Sequence, residues 1–182
     1  MTPLGNGAAD LLTAERFLRF GGLEAGPEYD TLTLWVVSAE IAEDEEGDGS
    51  GNPLFDRIIG TPKMIETGPG SLRYCIIFRD CLSYAWRDES YALEEDAFEE
   101  SEDREDAGAP PLLRRHDRSD FLEQVTRRTG AADVLDVPVM HFAVSTLDAV
   151  IDVACLGLPE VTAEMLGPDD PGPKPGRRVR RD

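Results

Sequence analysis

The sequence predicts an α+β fold, a mainly antiparallel sheet with one or two packed helices. Three observations carry that prediction. Strand-like runs at 72–79 and 81–87, and again at 137–145 and 149–156, are separated by only a few residues, which suits antiparallel neighbours. The run 31–41 is apolar on both faces, as a central strand should be. A single well-capped helix falls between the two strand pairs, at 119–130. A β-sandwich with that helix at its periphery is the alternative.

Taken in order, 8–20 reads as a short helix, because Leu11, Ala14 and Leu18 recur at helical spacing, Phe17 adds to the stripe and Gly21-Gly22 can stop it. In 31–41, Leu32, Leu34 and Val36 share one face while Thr33, Trp35 and Val37 share the other. A weaker strand follows at 57–66, broken or kept to an edge by Pro62. Gly68-Pro69-Gly70 marks a turn. Tyr74, Ile76 and Phe78 alternate in the next strand, and Leu82, Tyr84 and Trp86 in the one after. Arg79-Asp80 between them is either a tight turn or a bulge in one long bent strand. In 119–130, Ser119 suits the cap, Asp120 and Glu123 suit the positive end, and Arg127 and Arg128 suit the negative end, with Gly130 as terminator. Phe121, Leu122 and Val125 form its apolar stripe. The segments 137–145 and 149–156 form a hairpin closed near Thr146 to Asp148, with Met140, Phe142 and Val144 on one face. One helical turn is expected at 160–166. The remainder, 167–182, holds four prolines and then Arg177, Arg178, Arg180 and Arg181, and reads as a disordered tail. The expected organisation is one domain over 1–166, with acidic loops at 40–52 and 88–111, followed by that tail.

The 182 residues allow a substantial core, and 41% apolar with 30% charged residues lies within the globular range. No run of about 18 uncharged apolar residues is present, so no membrane-spanning helix is expected. The first 20 residues lack a basic start and an apolar stretch, so no secretory signal is expected and the chain reads as cytoplasmic. Cys75, Cys81 and Cys155 cannot all pair and make no Cys-x-x-Cys, so they read as reduced thiols that behave as small hydrophobes.

Charge is the most informative feature. The formal net charge is −19. Residues 40–48 contain six acids and no base, and 88–106 contain eleven acids and one arginine. Dense like charge repels itself and stays in water. It favours a basic partner and repels free nucleic acid. Against the plain reading of a solubilising loop, the candidate partner-binding set is Asp88, Glu89, Tyr91, Glu94, Glu95, Asp96, Phe98, Glu99 and Glu100, with Tyr84 and Trp86 as further anchors. The segment 112–128 is locally basic through Arg114, Arg115, Arg118, Arg127 and Arg128, which suits either pairing with the acidic loop or a bipolar docking surface.

No catalytic or cofactor motif stands out, and no cofactor or metal is expected. There is no G-x-S-x-G, no H-x-x-x-H and no H-E-x-x-H, and the only histidines are His116 and His141. His141 and Asp152 form a candidate polar site across the second hairpin. A turn centred near residue 147 sets position 141 opposite 153, which puts Asp152 on the other face, so the two meet only if the register shifts. If they meet, the carboxylate orients an imidazole that acts as a base or ligand; the plain alternative is a half-buried structural histidine.

Tyr74-x-x-x-Phe78, Tyr84, Asp88-Glu89-Ser90-Tyr91, Ser119-x-Phe121-Leu122, His141 and Asp152-Val153 together resemble a group of small bacterial proteins with no assigned activity. The resemblance covers 72–160. It implies only that first hairpin, helix and second hairpin form one folded unit, with the acidic insert after Tyr91 and the basic tail particular to this chain.

The expected function is therefore a non-enzymatic acidic binding protein, an inhibitor or immunity-type partner of a basic protein surface, with mimicry of nucleic acid as one form. The alternatives are a metal-dependent or hydrolytic enzyme using Asp88, Glu89, His141 and Asp152, and a structural subunit with Trp35 and Trp86 in an oligomer interface. No membrane partner is expected, and the sequence does not fix an oligomeric state.

Overall fold

A computed structural model describes residues 7–26, 30–41, 65–91, 112–169 and 172. In chain order the elements are α1 (Gly7–Ala14), β1 (Leu18–Ala25), β2 (Leu32–Ser38), β3 (Glu40–Ile41), β4 (Ile65–Glu66), β5 (Leu72–Phe78), β6 (Cys81–Asp88), a 3-10 turn (Glu89–Tyr91), β7 (Leu113–His116), α2 (Asp120–Thr129), α3 (Ala131–Val134), β8 (Met140–Ser145), β9 (Ala149–Cys155) and β10 (Glu160–Met165). The fold is α+β with antiparallel sheets. One four-stranded sheet runs β1-β2-β5-β10 and the other β6-β9-β8-β7, with β3 and β4 as a short separate pair.

Alternation along the strands builds the core. Leu32, Leu34 and Val36 of β2 and Tyr74, Ile76 and Phe78 of β5 share one apolar cluster with Phe142 and Val144 of β8 and Ile151 and Val153 of β9. The sheets therefore face each other, and Phe78 meets Phe142 across the gap at 6.0 Å between ring centroids. Phe20 of β1 meets Trp86 of β6 at 6.5 Å, so these two edge strands lie on the same side of the stack. On the other side α1 contacts β10 and sends Leu12 into the core.

β5 and β6 are neither a hairpin nor one bent strand of a single sheet. They belong to opposite sheets, and the chain crosses between them at Asp80, whose φ is +51°. The Cys81 amide donates to the Asp30 carbonyl at 2.7 Å, anchoring the crossing to the start of β2.

Two further expectations are corrected. The first helix ends at Ala14, and 18–25 is β1. The Gly21-Gly22 pair does not stop a helix; Gly22, at φ +147°, sits where the β1–β2 register shifts, a bulge that glycine accommodates. Second, 160–166 is a strand rather than a helical turn. Val161 and Ala163 pack against the core between Glu160, Thr162 and Glu164, a period of two, and the pairing covers the side of β5 not taken by β2. The basic segment also contains a strand the sequence reading did not mark, β7, which pairs with β8 and turns Leu113 toward the core. Two helices beyond α1 follow it, α2 as expected and α3 in addition.

Other expectations hold. Ser119 Oγ accepts from the Leu122 amide and Gly130 ends α2 at φ +65°. Gly68 to Ser71 closes a turn at 3.0 Å through Gly70, at φ +99°. The acidic loops expected at 40–52 and 88–111 are corrected at their starts, since Glu40–Ile41 is β3, Asp88 ends β6 and Glu89–Tyr91 is the 3-10 turn; residues 42–64 and 92–111 lie outside the described residues, as does most of 167–182. Within that last stretch the Gly172 carbonyl accepts from Arg73. No helix among the described residues is long and apolar enough to cross a membrane.

Candidate functional site

The second sheet turns Phe142, Val144, Ile151 and Val153 inward, so its other face carries His116 and Arg114 of β7, His141 and Ala143 of β8, Asp152 and Ala154 of β9, and Ala85 and Arg87 of β6. α2 contacts β6, β8 and β9 and covers part of this face.

The register decides what meets there. His141 stands opposite Ala154, and Ala143 stands opposite Asp152. The expectation of 141 opposite 153 is one residue out. The Thr146 hydroxyl sets the difference by bonding to both the Ala149 amide and its carbonyl, which fixes where the β8–β9 turn closes. With this register Asp152 is two positions from the partner of His141 and on the same face, a diagonal pair within side-chain reach.

The result is a polar chain across three strands and a helix start. His141 Nε2 lies 3.1 Å from Asp152 Oδ1. Arg87 donates to Asp152 Oδ2 at 2.8 Å. On the far side of the ring, Nδ1 lies 2.8 Å from Ser119 Oγ. Ser119 Oγ also accepts from the Leu122 amide at 3.0 Å. The imidazole is held between two rings, with His116 stacked at 4.8 Å and Phe121 tilted at 4.9 Å. His141 is 1% exposed and Asp152 2%.

Burial by itself pushes the Asp152 carboxyl up; the hydrogen bond with His141 and the Arg87 charge outweigh it and hold the group below the usual carboxylate range. Asp152 is thus an ionised acceptor at neutral pH. An acceptor requires a donor, so Nε2 carries hydrogen. In the neutral ring Nδ1 then holds the lone pair and accepts from the Ser119 hydroxyl.

His141 and Asp152 are therefore brought together. Asp88 and Glu89 are not part of the chain: both are exposed at the end of β6, Asp88 projects from the opposite face to Arg87, and its carboxylate accepts from the Ser90 amide. Among the described residues no group of three or more His, Cys, Asp or Glu side chains is placed to hold a metal ion. Of the other candidate partner-binding residues, Tyr91 lies in the 3-10 turn, while Glu94, Glu95, Asp96, Phe98, Glu99 and Glu100 lie outside the described residues. Sequence reasoning placed Ser119 as a cap but missed its contact with His141, and missed Arg87 and His116. The Ser119 contact needed the tertiary packing of α2, but alternation on β6 was enough to put Arg87 on the face opposite Trp86.

A second feature lies along β6, an edge strand. Tyr84 is 47% exposed and Trp86 51%, although both point to the side that faces the other sheet. Near them a 220 Å³ groove is lined by Asp30, Leu32, Cys81, Ser83 and Tyr84. A 330 Å³ groove elsewhere is lined by Leu122, Ala131, Leu135, Val137 and Pro138 together with Thr126 and Asp136. The cysteines are free thiols, with Cys155 buried and Cys75 and Cys81 half-buried. Cys81 faces Cys155 across the strands, and burial with that neighbour pushes its thiol up to about 11. Three of the five arginines of 112–128 find local partners, Arg115 with Asp117 and Arg127 with Glu123, both at 3.5 Å, and Arg114 with Ser145.

Set against family models, curated proteins and solved structures, the chain matches none of them.

Proposed function

We propose that this is an acidic binding protein that docks a basic protein surface along β6, as an inhibitor or immunity-type partner. The observation that carries the reading is the half-exposed pair Tyr84 and Trp86 on an edge strand that runs directly into Asp88, Glu89 and the acidic segment behind them. Aromatic side chains anchor interfaces because they bury a large area at little entropic cost. The carboxylates select the partner by sign and speed its approach. Mimicry of nucleic acid is the narrower form, in which the carboxylates occupy a groove built for phosphates.

The test is capture from lysate at low and high salt, followed by reconstitution with the captured protein after purification. The expected partner is basic, binds more weakly as salt rises, and loses at least about tenfold in affinity against Tyr84→Ser/Trp86→Ser, one central anchor contributing more than about 1 kcal/mol. Recovery of no basic protein at either salt, or equal binding to the double variant, overturns the reading.

A further inference from the structure

We propose that Ser119 is the nucleophile of an acyl-transfer site, with His141 as its base, Asp152 and Arg87 as the residues that position the imidazole, and the groove lined in part by Leu122, Leu135, Val137 and Pro138 as the seat of a small ester's acyl group. This activity goes beyond the binding reading and does not depend on it.

The geometry has the order nucleophile, base, orienter. Ser119 Oγ and His141 Nδ1 are 2.8 Å apart, within reach for proton transfer. On the opposite nitrogen, Asp152 at 3.1 Å fixes the tautomer that leaves Nδ1 free to accept. Arg87 at 2.8 Å holds the carboxylate in place. A helix cap by itself asks for much less. The Leu122 amide at 3.0 Å satisfies it, and neither a buried imidazole nor a buried carboxylate behind that is needed. Burying a charged or polar group without a partner costs free energy, so such a chain persists only with every member bonded. Here Ser119, His141 and Asp152 are bonded in an order that can draw a proton from a hydroxyl.

Access also fits. Ser119 is only half-buried, whereas His141 and Asp152 are closed off from water. Leu122, the residue whose amide meets Ser119 Oγ, also lines the 330 Å³ groove, where Ala131, Leu135, Val137 and Pro138 stand beside Thr126 and Asp136; the aliphatic part suits a short hydrocarbon chain. The first turn of a helix also directs backbone N–H groups outward at its start, the kind of donor that a developing oxyanion needs.

In the first half-reaction Ser119 Oγ attacks the ester carbonyl carbon and forms a C–O bond while its proton passes to His141 Nδ1. The carbonyl electron pair moves onto oxygen, then returns and breaks the bond to the leaving alkoxide, which takes the proton from Nδ1. The acyl group now sits on Ser119. Water, deprotonated by the same nitrogen, attacks it, the carboxylic acid leaves, and Oγ recovers its proton.

The experiment uses the full chain with two probes, a fluorophosphonate and p-nitrophenyl butyrate. The fluorophosphonate forms an Oγ–P bond and loses fluoride, so peptide mass analysis should find the adduct on Ser119. Ester hydrolysis should fall about 100-fold or more in Ser119→Asn, the range expected when nucleophile and base are uncoupled. Asparagine caps a helix as well as serine does, so an unchanged melting curve separates lost chemistry from lost fold. Asp152→Asn supplies the readout of positioning. The groups facing the ring are His116 from β7, Ser119 and Phe121 from α2 and Asp152 from β9, with Arg87 of β6 behind the carboxylate. The carboxylate touches no substrate, so Asp152→Asn should lower kcat while leaving KM close to the wild-type value. No adduct on Ser119 in the wild-type chain, or hydrolysis undiminished in Ser119→Asn, overturns the proposal.

Discussion

Arg87 and Trp86 are neighbours on one strand with opposite surroundings. The Arg87 head group reaches the face under α2 and ends on a buried carboxylate, which pairs in turn with His141 and, through it, with Ser119. The Trp86 ring points toward the other sheet, meets Phe20 at the edge and stays half exposed. The same alternation of two generates both outcomes. What differs is the cover: a helix lies over one face of the second sheet, while the β1/β6 side of the stack has no helix seated on it among the described residues. The opposite side shows the contrast, because there α1 places Leu12 in the core beside β10. A covered polar group is fixed by its partners, and an uncovered aromatic edge is available to another molecule.

Removing the centre of the covered face should have the largest effect. Asp152→Ala leaves His141 without an acceptor for Nε2–H and Arg87 without its carboxylate. Removing one member of a buried ion pair costs about 3–5 kcal/mol, and the lower end applies here because the Arg87 side chain is 38% exposed. Urea denaturation checks it; a loss under about 1 kcal/mol, the level of an exposed pair, would place the chain in water rather than in the fold.

The same carboxylate makes stability depend on pH in one direction. Its folded-state value lies below the ordinary 3.8, so the unfolded chain binds the proton more readily. The stabilisation is complete above the unfolded value and is lost as pH falls through the folded one. Stability of the wild-type chain should therefore drop below about pH 4, and Asp152→Asn should flatten part of that drop in denaturation curves taken from about pH 6 to about pH 2.5.

The cap comes next. Ser119→Ala should cost about 1 kcal/mol, as helix caps do, and Ser119→Asn close to nothing. A much larger loss in the alanine variant, measured by thermal melting, would show that the hydroxyl supports the imidazole as well as the helix.

How much of this was legible depended on whether the signal was local. α2 was readable to its ends because Ser119, the charge bias and Gly130 all lie within twelve residues. β8 and β9 were readable because alternation is local. β1 was not, since Gly21-Gly22 stops a helix in one context and relieves a bulge in another, and only pairing with β2 decides between them. β10 was missed for the same reason: its acidic start resembles a helix start until β5 offers an edge. At the site, a single residue of register separated the two readings of His141 and Asp152, and that residue was set by a threonine hydroxyl in the turn rather than by the strands. The sequence marked Tyr84 and Trp86 as anchors because alternation put them on one face, but it could not show that both stay half exposed beside the edge.

The uncovered face should respond least, and that small response is its most informative property. Trp86→Ser removes one tilted ring pair with Phe20, worth about 0.5–1 kcal/mol, and little else, because half of the indole is already in water. Tyr84→Ser should cost less still. A side chain kept for packing would cost several times more on truncation, as a buried aromatic does at about 3–5 kcal/mol. If Trp86→Ser melts within a few degrees of the wild-type chain, as a loss of about 1 kcal/mol would give in a domain of this size, the ring is not held there by the fold's need for it. If it unfolds the protein instead, the β1/β6 edge belongs to the core and the contrast between the two faces of β6 disappears.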